Sequence, residues 1–594
     1  MNVGRMRGLW AVLALGIAWQ ATSRGAEEKL PDSPVLMQAL VDELQRAMTL
    51  RMEDLERPYF IQLDVDDSIS YQISARYGAL TNSGRNRSRQ LNCQVRVGSY
   101  ELDNTNFSSG GGFSFGGMFG FGRASRSALP LDDDALAIRQ TLWRAADDVY
   151  KDAVETLTKK RSYMKDKTIA DRPNDFAHAP AVEHSGPSAV LDFDRTNWER
   201  NLRQLSAHFK THQKIQDSSV RLLVRADNSY VVNSEGTRVR IPDHKAWLTV
   251  TAVVQAADGQ RLVATRNYAG ASPADFPPLE QIRKDIDQTV AELTAAMTAP
   301  VLEHYTGPVL FDETAAAQLF RTLLADGLAG RAITVGEERR NPFDRENLET
   351  KLGTQILPKS FQVWDDPKVV KLGNEVLMGH YDYDDEGLPA ERVELIKNGK
   401  LEKLCMSRMP TKKLSGSNGR GRRGLGGGDI AASIGCLFIE DNQGVPADQL
   451  KAALIDAAKE AGLDYGVRIK ALKSAASDAD SGRIGTFMRM MRGGGREGVS
   501  LGEPVAAFKV FVADGHEEPF RGCEVGQIRV PELKRILASG DKPQVVSSIG
   551  EFGFGKPSAP TAISAPPVLL PEVELSKQEM EHDNPPILQA PALR

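Results

Sequence analysis

Apolar residues recur along this chain in two rhythms, the 3.6-residue period of a one-sided helix and the two-residue period of a half-buried strand. Residues 31–57 carry Leu36, Leu40, Leu44, Met48 and Leu55 near helical spacing. "YFIQLDVDDSISYQISARYGAL" then alternates, and "RQLNCQVRVGSYELDNTNF" reads as a second strand pair. Asp132 to Lys167 is a long run of strong helix formers with charge on one face. Another helix is expected over residues 194–215, followed by the strands of "VRLLVRADNSYVVNSEGTRVRI" and "AWLTVTAVVQAADGQRLVATRNY". The loop "AADGQ" suits a hairpin. "LEQIRKDIDQTVAELTAAM" returns to the helical period, and from about residue 300 to 555 strands and glycine loops dominate.

One helix has the punctuation of a site. In "FDETAAAQLFRTLLADGLAG", Phe311 to Gly330, Asp312 can cap the start and Glu313 favours the positive end of the helix dipole. Gly327 or Gly330 can end it. Ala316, Leu319, Phe320, Leu323, Leu324 and Leu328 form one apolar stripe. Gln318, Arg321, Thr322, Ala325 and Asp326 make the opposite, polar face.

Length changes this picture first, because 594 residues suggest three or four domains. The net charge of -5 gives no overall attraction to nucleic acid or anionic membranes. Arg5 and Arg7 precede the apolar run Leu9 to Trp19, and small residues around Ala21 and Ala26 follow. That is the pattern of a secretory leader, so the chain is expected to be exported, periplasmic or extracellular, with no stable membrane span after cleavage. Cys93, Cys405, Cys436 and Cys523 could then pair, though spacing does not say how. The glycine-phenylalanine-serine segment 108–125 reads as a flexible connection, and the proline-rich end of the chain as a disordered tail with a short strand at "PVLLPEVEL".

Several stretches invite chemistry. His208 and His212 lie one helical turn apart, a spacing that holds metal in H-E-x-x-H, but Phe209 stands where the glutamate would be. "YDYDDEGLP" clusters Asp382, Asp384, Asp385 and Glu386 before Gly387. A calcium loop would need a glutamate where Val393 stands, and Pro389 falls inside it, so an exposed turn into the strand "AERVELIKNGK" fits better. "KKLSGSNGRGRRGLGGGD", Lys412 to Asp429, lacks the phosphate-loop spacing and reads as a solvated loop. The serine-nucleophile pattern GxSxG is absent from the sequence.

Taken in order, "RNRSRQLNCQVRVG", "YVVNSEGTRVR", "GPVLFDETAAAQLF…DGLAGR", "YDYDDEGLPAERVELIKNGKLEKLCMSR" and "SGSNGRGRRG" resemble the TldD/PmbA metallopeptidases, also called modulators of DNA gyrase. The resemblance spans roughly residues 35–570. It implies an α+β multidomain fold, with an α/β N-terminal domain and a largely antiparallel β C-terminal domain. The expected organisation is a leader 1–26, an N-terminal domain 31–170, a central α/β region 171–300, a metallopeptidase-like domain 301–570 and a proline-rich tail 571–594. The family's His-Glu-x-x-x-His motif falls on Arg321, Thr322 and Asp326, and its late cysteine ligand on Phe552 of "GEFGFGKPS". Arginine stays protonated and threonine is no carboxylate base. The resemblance therefore implies a noncatalytic member with no cofactor. Such a member would bind peptide or unfolded polypeptide, through Arg321 among others, as a homodimer or as a heterodimer with a catalytic homologue. The alternative is an active zinc peptidase with a displaced site, through His208 and His212 or His304 and His380.

Overall fold

A computed structural model of the chain describes residues 28–108, 126–165, 172–332, 334–336, 347–424, 429–473, 501–550, 559–578 and 584–586. The leader, residues 109–125 of the glycine-phenylalanine segment, and Phe552 lie outside them. The architecture is α+β with mostly antiparallel sheets.

Its first half is built on two long hairpins. Strand β1 (Pro58–Arg76) pairs along its length with β2 (Ala79–Val97), the turn falling at Tyr77 and Gly78. The two stretches read as separate strand pairs are thus one hairpin. Strand β3 (Asp217–Asn233) lies on the other side of β1, followed by β4 (Arg238–Gln255) and β5 (Arg261–Gly270), with the expected turn at Ala256–Gln260. Side chains alternate between faces along a strand. Ile61, Leu63 and Val65 of β1 lie under helices α1 (Pro34–Ala47) and α2 (Ala135–Lys165). Ile69 and Ile73, on the same face, lie under α3 (Arg195–His208) and α4 (Leu279–Thr298). Helix α1 stops at Ala47, short of the expected residue 57, and Leu55 is exposed.

The second half has two sheets around one core. Strand β6 (His304–Phe311) starts the first and α5 (Glu313–Phe320) follows it. Strands β7 (Phe361–Asp365), β8 (Val393–Lys397) and β9 (Cys436–Asp441) belong to the second sheet. Helix α6 (Ala447–Glu460), β10 (Tyr465–Leu472) and β11 (Pro504–Phe511) return to the first, β12 (Thr561–Ala565) to the second and β13 (Val568–Lys577) to the first. Helix α5 sits between them. Leu319 and Phe320 share a core with Val309 and Ile469 of the first sheet and Val363 and Ile439 of the second.

Strand β13 bears out the strand expected at "PVLLPEVEL" and moves the start of the tail beyond residue 577, because it pairs along β6. Proline at position 571 is unusual inside a central strand. It is tolerated because the register shifts between Gly307 and Val309, so Pro308 and Pro571 face each other at one bulge where the ladder is already interrupted.

The other face of β1 carries Phe60, Gln62 and Asp64, all buried. It packs against loops of the second half. Gln62 donates to the Asp385 carbonyl at 2.8 Å and Asp64 pairs with Arg423 at 2.5 Å. Gly387 is pressed onto β3 and β4. Its φ is +77°, and a Cβ there would stand 2.7 Å from Thr237 Cγ2. A side chain would meet both a left-handed backbone penalty and overpacking. Gly387→Ala is therefore expected to lower stability by about 2–4 kcal/mol. Urea unfolding of the variant checks this, and an unchanged midpoint would contradict the packing.

Candidate functional site

The strand-to-helix turn that enters α5 is held from three directions. The Asp312 side chain accepts from the Glu313 amide at 2.7 Å, as expected of a cap, and its carboxylate is gripped by Arg468 of β10, whose Nε lies 2.8 Å away. Arg468 also reaches Glu517 at 3.1 Å. One turn on, the Gln318 amide donates to the Leu472 carbonyl at 3.0 Å and accepts from the Leu472 amide at 2.9 Å. Gln318 thus belongs to the strand contact rather than to an open polar face, and Ala325 is buried. Glu313 has φ +45°, a strained value for a non-glycine residue.

The helix is shorter than its sequence suggests. After Phe320 the chain widens into a π-helical segment, Arg321–Ala325, with Asp326 as its cap. All six residues of the expected apolar stripe are buried. The widening changes which polar residues are neighbours. In an α-helix, residues five apart point in different directions, whereas π-helical bonding links i to i+5. Arg321 and Asp326, both half-buried, therefore stand one π-turn apart. Neither glycine ends the helix as a left-handed cap. Gly330 instead allows close passage, since a Cβ there would lie 2.3 Å from Met406 Sδ. The strand Gln544–Ser548, shortly before Phe552, packs against α5.

The acidic turn is not exposed. Asp384 is fully buried and Glu386 is 3% exposed. Asp384 accepts from the amides of Glu386 at 3.0 Å and Leu388 at 2.9 Å through one oxygen, and from Gly421 at 2.8 Å through the other. Glu386 accepts from the Arg408 amide at 2.9 Å. The basic loop, expected to be solvated, is exposed at Lys412, Lys413, Ser415 and Gly416 but turns inward at Gly419–Gly421. Arg420 is buried against Asp365, and its guanidinium donates to the Asp365 carbonyl at 2.9 Å. The Arg423 amide donates to Asp385 at 2.5 Å. The arginines and carboxylates satisfy each other, which is how buried charge is tolerated.

The family model of the PmbA/TldA metallopeptidase C-terminal domain matches residues 304–493, beginning at the first residue of β6. Over these residues the chain is similar to the TldD/PmbA family. It is 26% identical over 206 residues to a metalloprotease of Synechocystis sp., a match covering 34% of this chain and 41% of that protein. The chain thus spans about two fifths of the length of that curated relative. Among solved structures it is similar to TldE from Thermococcus kodakarensis, with a TM-score of 0.54 at 12% identity, covering 91% of this chain and 100% of that one. A protein of Thermotoga maritima described as a modulator of DNA gyrase gives 0.52 at 13% identity, over 87% of this chain and 96% of its own. A counterpart from Bacteroides thetaiotaomicron gives 0.54 at 11%, over 91% and 99%. At these identities the structures speak for the fold alone.

Other sequence candidates fall apart or come together. All four cysteines are buried free thiols, which corrects the expectation that they could pair. His304 bonds Thr306 at 3.2 Å and His380 bonds the Pro367 carbonyl at 2.7 Å. Neither belongs to a three-ligand group among the described residues. His208 and His212 do, together with Asp287. No described helix is long and apolar enough to cross a membrane.

What sequence reasoning missed is the buried turn. Burial pushes the Glu386 carboxyl up to about 8, with the neighbouring Asp384 charge adding to the rise. Burial also pushes Asp384 up, to about 7, against the pull of its three amide donors. A raised carboxyl binds its proton in the folded state where the unfolded chain has released it. Stability from this pair is therefore full below about pH 4 and is lost progressively as pH rises from there through the raised folded values of about 7 and 8. Melting midpoints measured across that range should fall with pH, and Glu386→Gln should flatten the slope. A slope equally steep in the variant would count against Glu386 as its source.

Proposed function

We propose that this protein is an exported, noncatalytic TldD/PmbA member that binds peptide or unfolded polypeptide and assembles as a dimer, with itself or with a catalytic homologue. The observation that carries the proposal is the residue set on the π-helical turn. The resemblance places a histidine pair and a glutamate where Arg321, Asp326 and Thr322 stand. The π-turn would bring such a pair of side chains together. An arginine cannot give a lone pair to zinc, and one aspartate is too few ligands for a tetrahedral site. Threonine has no suitable pKa for a general base. Arg321 instead offers a planar fork of donors matched to a carboxylate, such as a peptide terminus or an acidic side chain. The scaffold around it, with the Asp312–Arg468 pair and the Gln318–Leu472 bonds, is of the kind that keeps a binding surface in shape.

The second reading is an active zinc peptidase, favoured by the matched Synechocystis protein being named a metalloprotease. The two differ in one assay. Purified chain should cleave unfolded polypeptide no faster than buffer, with or without added zinc, and chelator should change nothing. It should still bind peptide, and Arg321→Ala should weaken that binding by at least about tenfold, the loss expected for a charge-assisted pair. Zinc-dependent, chelator-sensitive cleavage would overturn the noncatalytic reading, and its survival in an Arg321→Ala, Asp326→Ala variant would assign it to a displaced site.

The leader pattern supports export. Protein isolated from its native cell is expected to begin between about residues 22 and 30, where small residues allow cleavage. An intact Met1 found by N-terminal sequencing would remove the exported location while leaving the peptide-binding reading in place.

A further inference from the structure

We infer that His208, His212 and Asp287 form a binding site for a zinc-class transition dication, separate from the α5 turn. The site joins two helices that are far apart in sequence. His208 ends α3, and a short 3₁₀ turn, Phe209–Thr211, leads to His212. Phe209 is 1% exposed and anchors that turn in the core under α3 and α4. The histidines on either side of it are held at the rim, their rings 5.4 Å apart and nearly perpendicular. Asp287 comes from the middle of α4.

The three side chains converge on one point. Nε2 of His208 lies 2.7 Å from Asp287 Oδ1, and Nε2 of His212 lies 2.9 Å from the same oxygen. Their ligating atoms all fall within 4.8 Å of one another. Two imidazole nitrogens and one carboxylate oxygen, with a side open to water, are the donors of three-residue zinc sites. Metal–ligand bonds of about 2.0–2.2 Å in a tetrahedron separate neighbouring ligand atoms by about 3.3 Å. A dication would therefore need each imidazole nitrogen to draw back from Asp287 Oδ1 by about half an ångström. Imidazole donors favour zinc, cobalt, nickel or copper over calcium or magnesium.

The nearby charge does not block the site. Arg283, one turn before Asp287, is engaged with Glu280 at 3.1 Å and Gln204 at 3.4 Å. The histidine side chains are 24% and 21% exposed and Asp287 is 50% exposed, so an ion can enter from solvent without unfolding. Bound there, it would tie α3 to α4 across the sheet and raise stability in proportion to its affinity for the folded chain.

Equilibrium dialysis of the full chain, first stripped with chelator and then offered zinc, tests this. One zinc per chain is expected at micromolar metal, with a matching rise in melting midpoint, and cobalt should give visible absorption bands typical of tetrahedral coordination. His212→Ala and Asp287→Asn should each weaken binding by more than about tenfold, the scale on which even outer-shell groups act. Their metal-free melting midpoints should stay near that of the parent, because all three side chains are at the surface. Arg321→Ala with Asp326→Ala should leave the binding intact, which separates this site from any zinc held by the α5 turn. Absence of stoichiometric binding, or binding unchanged in both His212→Ala and Asp287→Asn, would overturn the inference.

Discussion

The polar contact between the first-half sheet and the loops of the second half is the constraint on which the rest of the structure depends. A sheet usually covers its second face with another sheet or with helices. Here loops do it, and loops bring backbone amides and carbonyls that must find partners when buried. Carboxylates and guanidiniums supply them. Asp384 takes three amides, Arg408 reaches the Ala177 carbonyl at 2.8 Å and Glu235 at 2.6 Å, and Arg423 reaches Asp64. Phe176 is held between two cations, with the Arg96 guanidinium 3.7 Å and that of Arg408 4.1 Å from its ring centroid. Removing one member would strand the others in low dielectric, which is the expensive way to break a buried ionic network.

That contact also positions the α5 turn. Arg408 lies three residues after Cys405. The Cys405 amide donates to the Leu328 carbonyl at 2.9 Å, and the Gly330 amide donates to the Cys405 carbonyl at 2.8 Å. The segment that grips the sheet through Arg408 is thus the one that fixes the end of the π-helical turn. A shift at the interface would be felt at Arg321 and Asp326 through a few backbone bonds, with no flexible linker between.

The long elements were legible because each carries its own period. The strands of the first-half sheet, the four helices on it and the apolar stripe of α5 all follow from local periodicity, whereas the joining of β1 and β2 into one hairpin did not. The acidic turn and the basic loop were read as solvated because charge in a local window usually is. Their partners lie far off in sequence. Asp384 meets Gly421 across 37 residues, and Asp64 meets Arg423 across 359. A window of local composition holds only one member of each pair. The strand of β13 was legible, but its place inside a sheet depends on a distant partner too. Pro571 is acceptable only because Pro308, 263 residues earlier, interrupts the same ladder. The π-helical widening was hidden too, since Arg321–Ala325 has the composition of an ordinary helix, and the change in hydrogen bonding comes from the packing around it.

The strain at this turn bears on how a site can outlive its chemistry. A left-handed Glu313 and a π-helical segment each hold the backbone away from its preferred form, and such features persist only where the surroundings over-determine them. The surroundings here are structural. Arg468 fixes Asp312, Leu472 fixes Gln318, and Met406 presses on Gly330. Leu319, Phe320, Leu324 and Leu328 fill the core between two sheets. None of these groups would touch a substrate or a metal at positions 321, 322 and 326. The shape of the turn is therefore supported by groups other than the residues at 321, 322 and 326. On the proposed reading, such a scaffold would let positions 321, 322 and 326 carry a guanidinium, a hydroxyl and a carboxylate in place of metal ligands without altering the path of the chain. Under the proposed function this is what allows recognition of peptide to continue after catalysis is lost.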